Sequence, residues 1–425
     1  MKIPPVKGTR DFYPADMRIR NFIIDGWKKV SLRNGFEEYD GPIFEYLQMY
    51  QLKSGDEIAE QLFNLVDRGG RELAIRPEIT PTLARMVNQQ INSLPRPIKW
   101  FSVPRLCRAE RPQKGRLREF FQWNIDVIGV EDEIADAEVI FCALDYLQAV
   151  GLTSNDIVVK ISSRAMLAEV LAVIGIEKEQ LNAVYSVLDK RSKIPEDAFI
   201  EMLMTCITDS NKRADVIKLM SVKSFEEIAS IIKSNEKIDA ALGQLRKLFE
   251  ILDTMGVSDF CQFDIGIVRG LAYYTGIVFE IFDKKAELRA IGGGGRYDDL
   301  LKTFGGPAIP ATGFGIGDCV LGIILEEKGL LGQASKNSRT QYFAACVDQK
   351  YFAKAVELTS KLRRKGISVA LNYKVGNLGK QLKQVSAQNA EKCLIIGSEI
   401  ESGQVAVKNM TDGTQQLISI DDLLI

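Results

Sequence analysis

No histidine occurs anywhere in the 425 residues. That absence excludes a Ser-His-Asp or Cys-His nucleophile, an imidazole general base and a histidine-held metal. Whatever chemistry the chain performs must use arginine, lysine, carboxylates, tyrosine or a bound ion, which suits a reaction driven by charge stabilisation and positioning. The seven cysteines are scattered, odd in number and never spaced C-x-x-C. They offer neither a disulfide framework nor a cysteine zinc site, and point to a reducing, cytoplasmic setting. No apolar run approaches the roughly 20 residues that cross a bilayer, so no membrane association is expected. The opening Met-Lys-Ile-Pro-Pro-Val-Lys-Gly lacks the apolar core of a secretory signal. Charge of one sign is missing too: the net charge is -1, so nucleic acid could be held only by local basic surfaces.

What the chain does have is ordinary globular material, 46% hydrophobic and 26% charged, enough for two or three domains. Phe22, Ile23, Trp27, Val30 and Leu32 recur at helical spacing, Gly35 closes the helix, and Phe36 to Tyr39 read as extended. Residues 60–66 and 71–76 read as a strand pair about Asp67-Arg68-Gly69-Gly70. Thr80–Asn88 and Ala135–Val150 read as helices, and 98–109 and 119–129 as aromatic-rich strands. From 164 to about 255 helical patterns dominate, at 165–174, 178–190, 224–233 and 236–254. Strands resume from 262, Ile277–Phe282 being the clearest, followed by the glycine run Gly292–Gly295. Residues 327–341 are polar and small, as in a linker. Beyond them strand and helix alternate (342–347, 350–364, 368–371, 378–390, 393–396), which predicts a small α/β domain with a mostly parallel sheet.

The densest chemical signal is Arg105-Leu106-Cys107-Arg108-Ala109-Glu110-Arg111-Pro112-Gln113-Lys114-Gly115-Arg116-Leu117-Arg118, with five arginines and one lysine. Charge alone fits either a solvated hairpin tip or a clamp whose guanidinium forks pair with polyphosphate oxygens. If the flanking segments are strands, Arg108 and Glu110 share one face, as do Phe120 and Gln122 on the return. An arginine, a carboxylate, an aromatic ring and an amide about one cleft can clamp phosphate, read an adenine edge, stack on adenine and orient a substrate.

This run resembles the second signature motif of class II aminoacyl-tRNA synthetases, and Arg108 to Arg116 is similar to that of histidyl-tRNA synthetases. The resemblance continues through Lys7-Gly8-Thr9-Arg10-Asp11, Phe36 to Glu45 (the dimer-forming first motif), Arg76-Pro77-Glu78-Ile79-Thr80, Val268-Arg269-Gly270-Leu271-Ala272-Tyr273-Tyr274-Thr275-Gly276 and Gly293-Gly294-Gly295-Arg296-Tyr297-Asp298. It implies an α+β fold: an antiparallel catalytic sheet with flanking helices over 1–163 and 259–326, a helical insertion at 164–258, a linker at 327–341 and an anticodon-binding α/β domain at 342–425. It implies ligation of L-histidine to tRNA(His): ATP activates histidine to histidyl-adenylate with release of pyrophosphate, and the histidine passes to the 3′ end of the tRNA. Arg108 and Arg269 would be the catalytic cations. Glu110, Arg116 and Phe120 would join Arg108 on ATP, which brings Mg2+ with it rather than using a resident metal site. Glu78, Thr80, Gln122, Asp126, Arg269, Tyr273, Tyr274 and Tyr297 would bind histidine, although strand packing alone also accounts for the tyrosines. A homodimer follows from the first motif.

Between Lys350 and Lys383 nine basic residues face the single acid Glu357. A solvated helix face or contact with RNA phosphates explains this; the likeness to the anticodon-binding domain favours RNA. The chain also departs from the family. Ala272 stands where many relatives carry aspartate, Asp126 replaces glutamate, and Ala109 and Phe121 occupy frequent histidine positions. The third motif normally ends in Glu-Arg, where this chain has Cys319-Val320. Another arginine, Arg116 or Arg296, would have to cover that role, or ATP binding is weakened. Synthetase-like regulators of ATP phosphoribosyltransferase, which aminoacylate nothing, are the alternative from another functional class.

Overall fold

The computed structural model describes residues 3–52, 62–191, 194–269, 273–285, 288–332 and 340–424. Three elements of the sequence reading fall partly outside them: the expected strand at 60–66, through residues 60 and 61; the 268–276 segment, through Gly270-Leu271-Ala272 with its aspartate-to-alanine departure; and the linker, through residues 333–339. The chain forms two compact units, Met1–Leu331 and Gly332–Ile425.

The described strands of the first unit are β1 (Glu37–Glu38), β2 (Phe44–Tyr46), β3 (Phe63–Val66), β4 (Glu72–Ile75), β5 (Ile98–Ser102), β6 (Arg105–Cys107), β7 (Glu119–Ile128), β8 (Ile157–Ser163), β9 (Cys261–Phe263), β10 (Ile277–Asp283), β11 (Gly292–Arg296) and β12 (Ala311–Gly317). One large sheet runs β1-β5-β7-β12-β11-β10-β8-β9, with β6 added to β7; β2-β4-β3 make a separate small sheet. The large sheet is antiparallel except for the outer pairs β1–β5 and β8–β9. This is the expected antiparallel sheet flanked by helices.

β7 positions the site. Successive side chains on a strand point to opposite faces. Phe121, Trp123, Ile125 and Val127 enter the main core, which leaves Gln122, Asn124 and Asp126 for the other face. On the core side, α1 (Pro14–Arg33) contributes Trp27; two further helices are α2 (Thr80–Gln89) and α3 (Ile134–Ala149), the latter contributing Tyr146. Trp27 stacks on Trp123 at 6.1 Å between centroids, and Tyr146 meets Trp123 edge-on at 5.5 Å. The Trp123 indole N–H donates to Ser31 Oγ at 2.8 Å, so its polar atom is satisfied in the core. Burying each ring contributes on the order of 2–3 kcal/mol, and the cluster fixes the register of β7.

The reading of 98–109 as one strand is corrected: it breaks at Val103-Pro104, and β6 ends at Cys107. Proline has no N–H to give to a ladder. Arg108 and Glu110 therefore lie beyond the strand, and their shared parity is not what orients them. Within 164–258 the chain is helical throughout its regular structure: α4 (Arg164–Ile174), α5 (Leu181–Leu188), α6 (Glu196–Cys206), α7 (Ser210–Leu219), α8 (Ile228–Ile231) and α9 (Glu236–Thr254). Two of these, α6 and α7, were not anticipated, and the expected helix at 224–233 shrinks to α8. Their apolar stripes are short, with only Phe199 and Leu203 buried on one and Val216 and Leu219 on the other. Their starts carry stronger signals: an acidic first turn after Pro195, and an Asp209 carboxylate that accepts from Asn211 N and Lys212 N. Short α10 (Leu300–Thr303) and α11 (Asp318–Glu327) complete the unit.

The second unit has β13 (Tyr342–Cys346), α12 (Phe352–Arg364), β14 (Val369–Leu371), α13 (Leu378–Ala387), β15 (Lys392–Ile396), β16 (Gln404–Asn409) and β17 (Gln415–Ser419). Its sheet order is β14-β13-β15-β16-β17. The first three strands are parallel, as expected, and the unforeseen β16 and β17 add antiparallel pairs at one edge.

Candidate active site

The cleft lies on the face of the large sheet opposite Trp27 and Trp123. Glu78, Thr80, Arg108, Gln122, Asp126, Arg269, Tyr273, Tyr274 and Tyr297 all line it, so nine of the singled-out residues, drawn from five separate stretches of chain, meet in one place. Gly293, of the glycine run quoted from the sequence, shares the lining, as do Asn124, Gly313 and Phe314, which sequence reasoning missed, and Gly315, which it had placed only in the third motif. The glycines are legible in hindsight from spacing: Gly313 and Gly315 alternate on β12 and pair with Asp126 and Asn124 of β7. A Cβ on Gly313 would sit 2.5 Å from the Asp126 carboxylate and 2.9 Å from the Tyr297 hydroxyl, so any side chain there would fill the cleft.

Two guanidinium groups face the space. The Arg108 Nε–H donates to the Pro77 carbonyl at 3.1 Å, and its head lies 5.2 Å from the Phe120 ring centroid. Burial pulls the Arg108 pKa down; Glu78 opposes this and Arg269 adds to it. Arg269 donates to Glu280 Oε1 at 3.0 Å and to the Tyr274 hydroxyl at 3.4 Å. Burial works against its charge, but Tyr274, Glu280 and Tyr273 outweigh it and raise its pKa. Two largely enclosed guanidinium groups in one polar cleft can offset charge that develops on an anion bound there. Tyr297 donates to Asp126 Oδ1. Burial first, and Asp126 second, push the Tyr297 phenol well above its usual value, so it stays a neutral donor. Asp126 and Tyr297 are 3% and 2% exposed, a buried polar pair suited to a small polar ring.

A third arginine explains how the segments are brought together. Arg76 is 3% exposed. It donates to Asp40 Oδ1 at 2.6 Å, the Gly41 carbonyl at 2.8 Å and the Arg105 carbonyl at 3.1 Å. Cys107 N donates back to the Arg76 carbonyl at 3.0 Å. Arg76 thus ties the first-motif segment to the base of the basic hairpin and sets Glu78 and Thr80 at the cleft.

Glu110, Arg116 and Phe120 are not in the cleft lining; Phe120 lies against the Arg108 head. Glu110 is paired with Arg116. The hairpin turns tightly, Gln113 and Arg116 exchanging two backbone hydrogen bonds at 2.9 Å. Gly115 at its tip has φ 74, and a Cβ there would lie 2.9 Å from Val320 Cγ2. Val320, which ends the segment read as the third motif, is therefore packed beneath the hairpin tip. Arg296 is ruled out as a replacement for the third-motif arginine. Its Nε donates to Asp136 Oδ2 at 3.0 Å, and further bonds reach the carbonyls of Val130 at 3.0 Å and Asp132 at 3.2 Å. It is a structural arginine whose side chain and that of its partner are 9% and 1% exposed. Among the described residues no three His, Cys, Asp or Glu side chains gather as a metal site.

Comparisons with known proteins agree with this geometry. The histidyl-tRNA synthetase family profile matches residues 8–317, and an anticodon-binding-domain profile matches 334–424. The chain is 40% identical over 422 residues to the chloroplastic/mitochondrial histidine–tRNA ligase of Arabidopsis thaliana, covering 99% of this chain and 86% of that one. It is 40% identical over 412 residues to the histidine–tRNA ligase of Opitutus terrae, covering 96% and 94%. In fold it is similar to the crystal structure of histidyl-tRNA synthetase from Nostoc sp., with a TM-score of 0.82, 23% identity and coverage of 100% and 98%.

Proposed function

This chain belongs to the histidyl-tRNA synthetase family, and from that premise we propose how its residues activate L-histidine with ATP and pass it to tRNA(His). The reaction is the ligation of histidine to its tRNA. One observation carries the mechanism: Arg108 and Arg269 converge on a cleft whose other wall holds Glu78, Gln122 and the Asp126–Tyr297 pair. Glu78 and Gln122 hold the α-amino group, and Thr80 borders it. Asp126, with Tyr297, Tyr273 and Tyr274 around it, receives the imidazole. The histidine carboxylate then attacks the α-phosphorus in line, the bond to the β-phosphate oxygen breaks, and pyrophosphate leaves. Arg108 and Arg269 offset the charge that builds on the α-phosphate oxygens. No protein nucleophile or general base is required, which suits a chain without histidine. Adenine stacks on Phe120, its amino group meets Glu110, and ATP enters as its Mg2+ complex.

We assign 1–163 and 259–326 to the catalytic domain, 164–258 to its helical insertion, 327–341 to the linker, and 342–425, with its basic α12 and α13, to the tRNA anticodon. ATP–pyrophosphate exchange tests the activation step. Exchange is expected with histidine alone among the amino acids, and charging only of tRNA(His); exchange with none would overturn the reading. A regulatory role on ATP phosphoribosyltransferase is not favoured, because relatives at 35–40% identity over nearly the whole chain are histidine–tRNA ligases.

With Val320 in the third-motif position and Arg296 committed elsewhere, Arg116 supplies the missing guanidinium. It leaves Glu110 when adenine arrives and turns to the outer phosphates. Arg116→Ala is expected to raise the KM for ATP about tenfold, the loss of one charge-assisted contact, with the KM for histidine little changed. An unaltered KM for ATP would remove Arg116 from the site.

The chain acts as a homodimer. Ile43, Phe44, Tyr46 and Leu52 are more than half exposed in the single chain, an apolar patch on the first-motif side that a second copy covers. Sedimentation should report twice the 47.4 kDa chain mass; the single mass would exclude the dimer. The setting is cytoplasmic: the seven cysteines are free thiols, and no helix of the described residues is long and apolar enough to cross a membrane. Cell fractionation that found the protein in a membrane or secreted fraction would contradict this.

A further inference from the structure

A side chain of the helical insertion reaches the backbone of the cleft-lining residue Arg269. Arg164 is the first residue of α4, directly after β8, and its backbone N–H donates to the Gly276 carbonyl at 2.9 Å. Its side chain is turned inward, and the residue is only 7% exposed. On one side Nη1 donates to the main-chain carbonyl of Arg269 at 3.3 Å. On the other, the guanidinium carbon lies 4.4 Å from the ring centroid of Tyr185, a residue of α5 in the insertion that is itself 7% exposed. Burial lowers the Arg164 pKa, and Tyr185 and Tyr274 oppose that effect. Filling such a position with a guanidinium is costly when an apolar side chain could do so, so the carbonyl it holds is the point of interest.

That carbonyl belongs to a residue in an uncommon conformation. Among the described residues only Arg269 and Asn389 are non-glycines with positive φ, and Arg269 has φ 57. Side-chain-bearing residues rarely occupy this left-handed region, and they stay there only where the surroundings over-determine the backbone. The Arg269 side chain is fixed by Glu280 and Tyr274. Its main chain is fixed by Arg164.

We propose that Arg164 is a positioning residue for adenylate formation: roofed by Tyr185 of the insertion, it anchors the Arg269 carbonyl and so holds the left-handed backbone that aims Arg269 into the cleft. The helical insertion is thereby part of the activation machinery through its α4–α5 corner. This rests on the reading of Arg269 as a cation of the activation step.

The test is ATP–pyrophosphate exchange on the full-length protein. Arg164→Ala is expected to lower kcat about 10- to 100-fold, the scale of a displacement of about 1 Å in a positioned group, while the KM values for ATP and histidine move less than about threefold. Arg164→Lys, which keeps a donor near the carbonyl, should recover part of the loss. In an Arg269→Gln background the same Arg164→Ala change should cost less than about threefold, because the group it positions is gone. A kcat for Arg164→Ala within about threefold of the parent would overturn the proposal. So would an equal loss in both backgrounds, which would mark Arg164 as a general packing residue. Should Arg164→Ala not fold, Tyr185→Leu keeps the guanidinium and removes its roof; a kcat drop of about 3- to 10-fold at unchanged KM supports the proposal, and an unchanged kcat overturns it. If the unsubstituted protein exchanges with no amino acid, the parent reading fails and takes this one with it; an active parent with an indifferent Arg164 fails this one alone.

Discussion

Replacing Arg269 by glutamine is expected to slow histidyl-adenylate formation by about 10²–10³-fold. The magnitude follows from what the group does. A fixed donor aimed at charge that develops only in the transition state is worth roughly 2.7–4 kcal/mol of barrier. Arg269 meets those conditions: its charge is held by Glu280 at 3.0 Å, its burial strengthens every interaction it makes, and it shares the cleft with Arg108. Glutamine is chosen over alanine because Glu280, with a side chain 15% exposed, would otherwise lose its partner, and an orphaned buried charge destabilises the fold by several kcal/mol. With glutamine the defect should fall on kcat of exchange, while the unfolding midpoint moves by only a few degrees. A single-turnover rate equal to that of the parent would show that Arg269 does not act on the α-phosphate.

Arg296 provides the opposite case. Arg296→Met is expected to cost about 3–5 kcal/mol of stability, the penalty for removing one partner of a buried ion pair. It strands the Asp136 carboxylate, whose side chain is 1% exposed, and removes the donors to the Val130 and Asp132 carbonyls. The pH dependence identifies the cause. Burial already raises the Asp136 pKa although Arg296 opposes it; without Arg296 the rise is larger. A carboxyl whose folded pKa is raised binds more protons folded than unfolded, so stability falls as pH climbs above the unfolded value of about 3.9. The deficit of the variant should therefore be smaller near pH 5 than near pH 8 in denaturant titrations. A deficit independent of pH would assign the loss to packing instead. If the variant folds and shows only a raised KM for ATP, Arg296 belongs to the nucleotide site after all.

The comparison of these two arginines marks the limit of what was readable before the fold was known. Both sit in motifs that resemble the family, and nothing local distinguishes a cation facing a cleft from one bound to a helix carboxylate 160 residues earlier in the chain. Individual strands and helices were legible in period-2 and helical spacing, while the antiparallel catalytic sheet that joins them came from the resemblance to the family. The alternation of β7, the glycine run that becomes β11 and the helical character of 164–258 all show at sequence level. What failed was local. Arg108 and Glu110 were placed on a common strand face, but β6 ends at Cys107 and a hydrogen bond to the Pro77 carbonyl orients Arg108. The helices α6 and α7 were passed over because their apolar stripes are short and their caps carry the signal. Gly313 of β12 was not singled out at all, because nothing local marks it as space reserved for Asp126 and Tyr297.

One strand holds both the interior and the chemistry. Along β7 the odd-numbered residues carry the buried rings and the even-numbered ones carry Gln122, Asn124 and Asp126. A slip of one residue along the whole of β7 would exchange the two sets, turning tryptophan toward water and carboxylate toward oil. Heredity therefore cannot wear away the catalytic face while sparing the hydrophobic one by shifting this segment; either both persist or both go together.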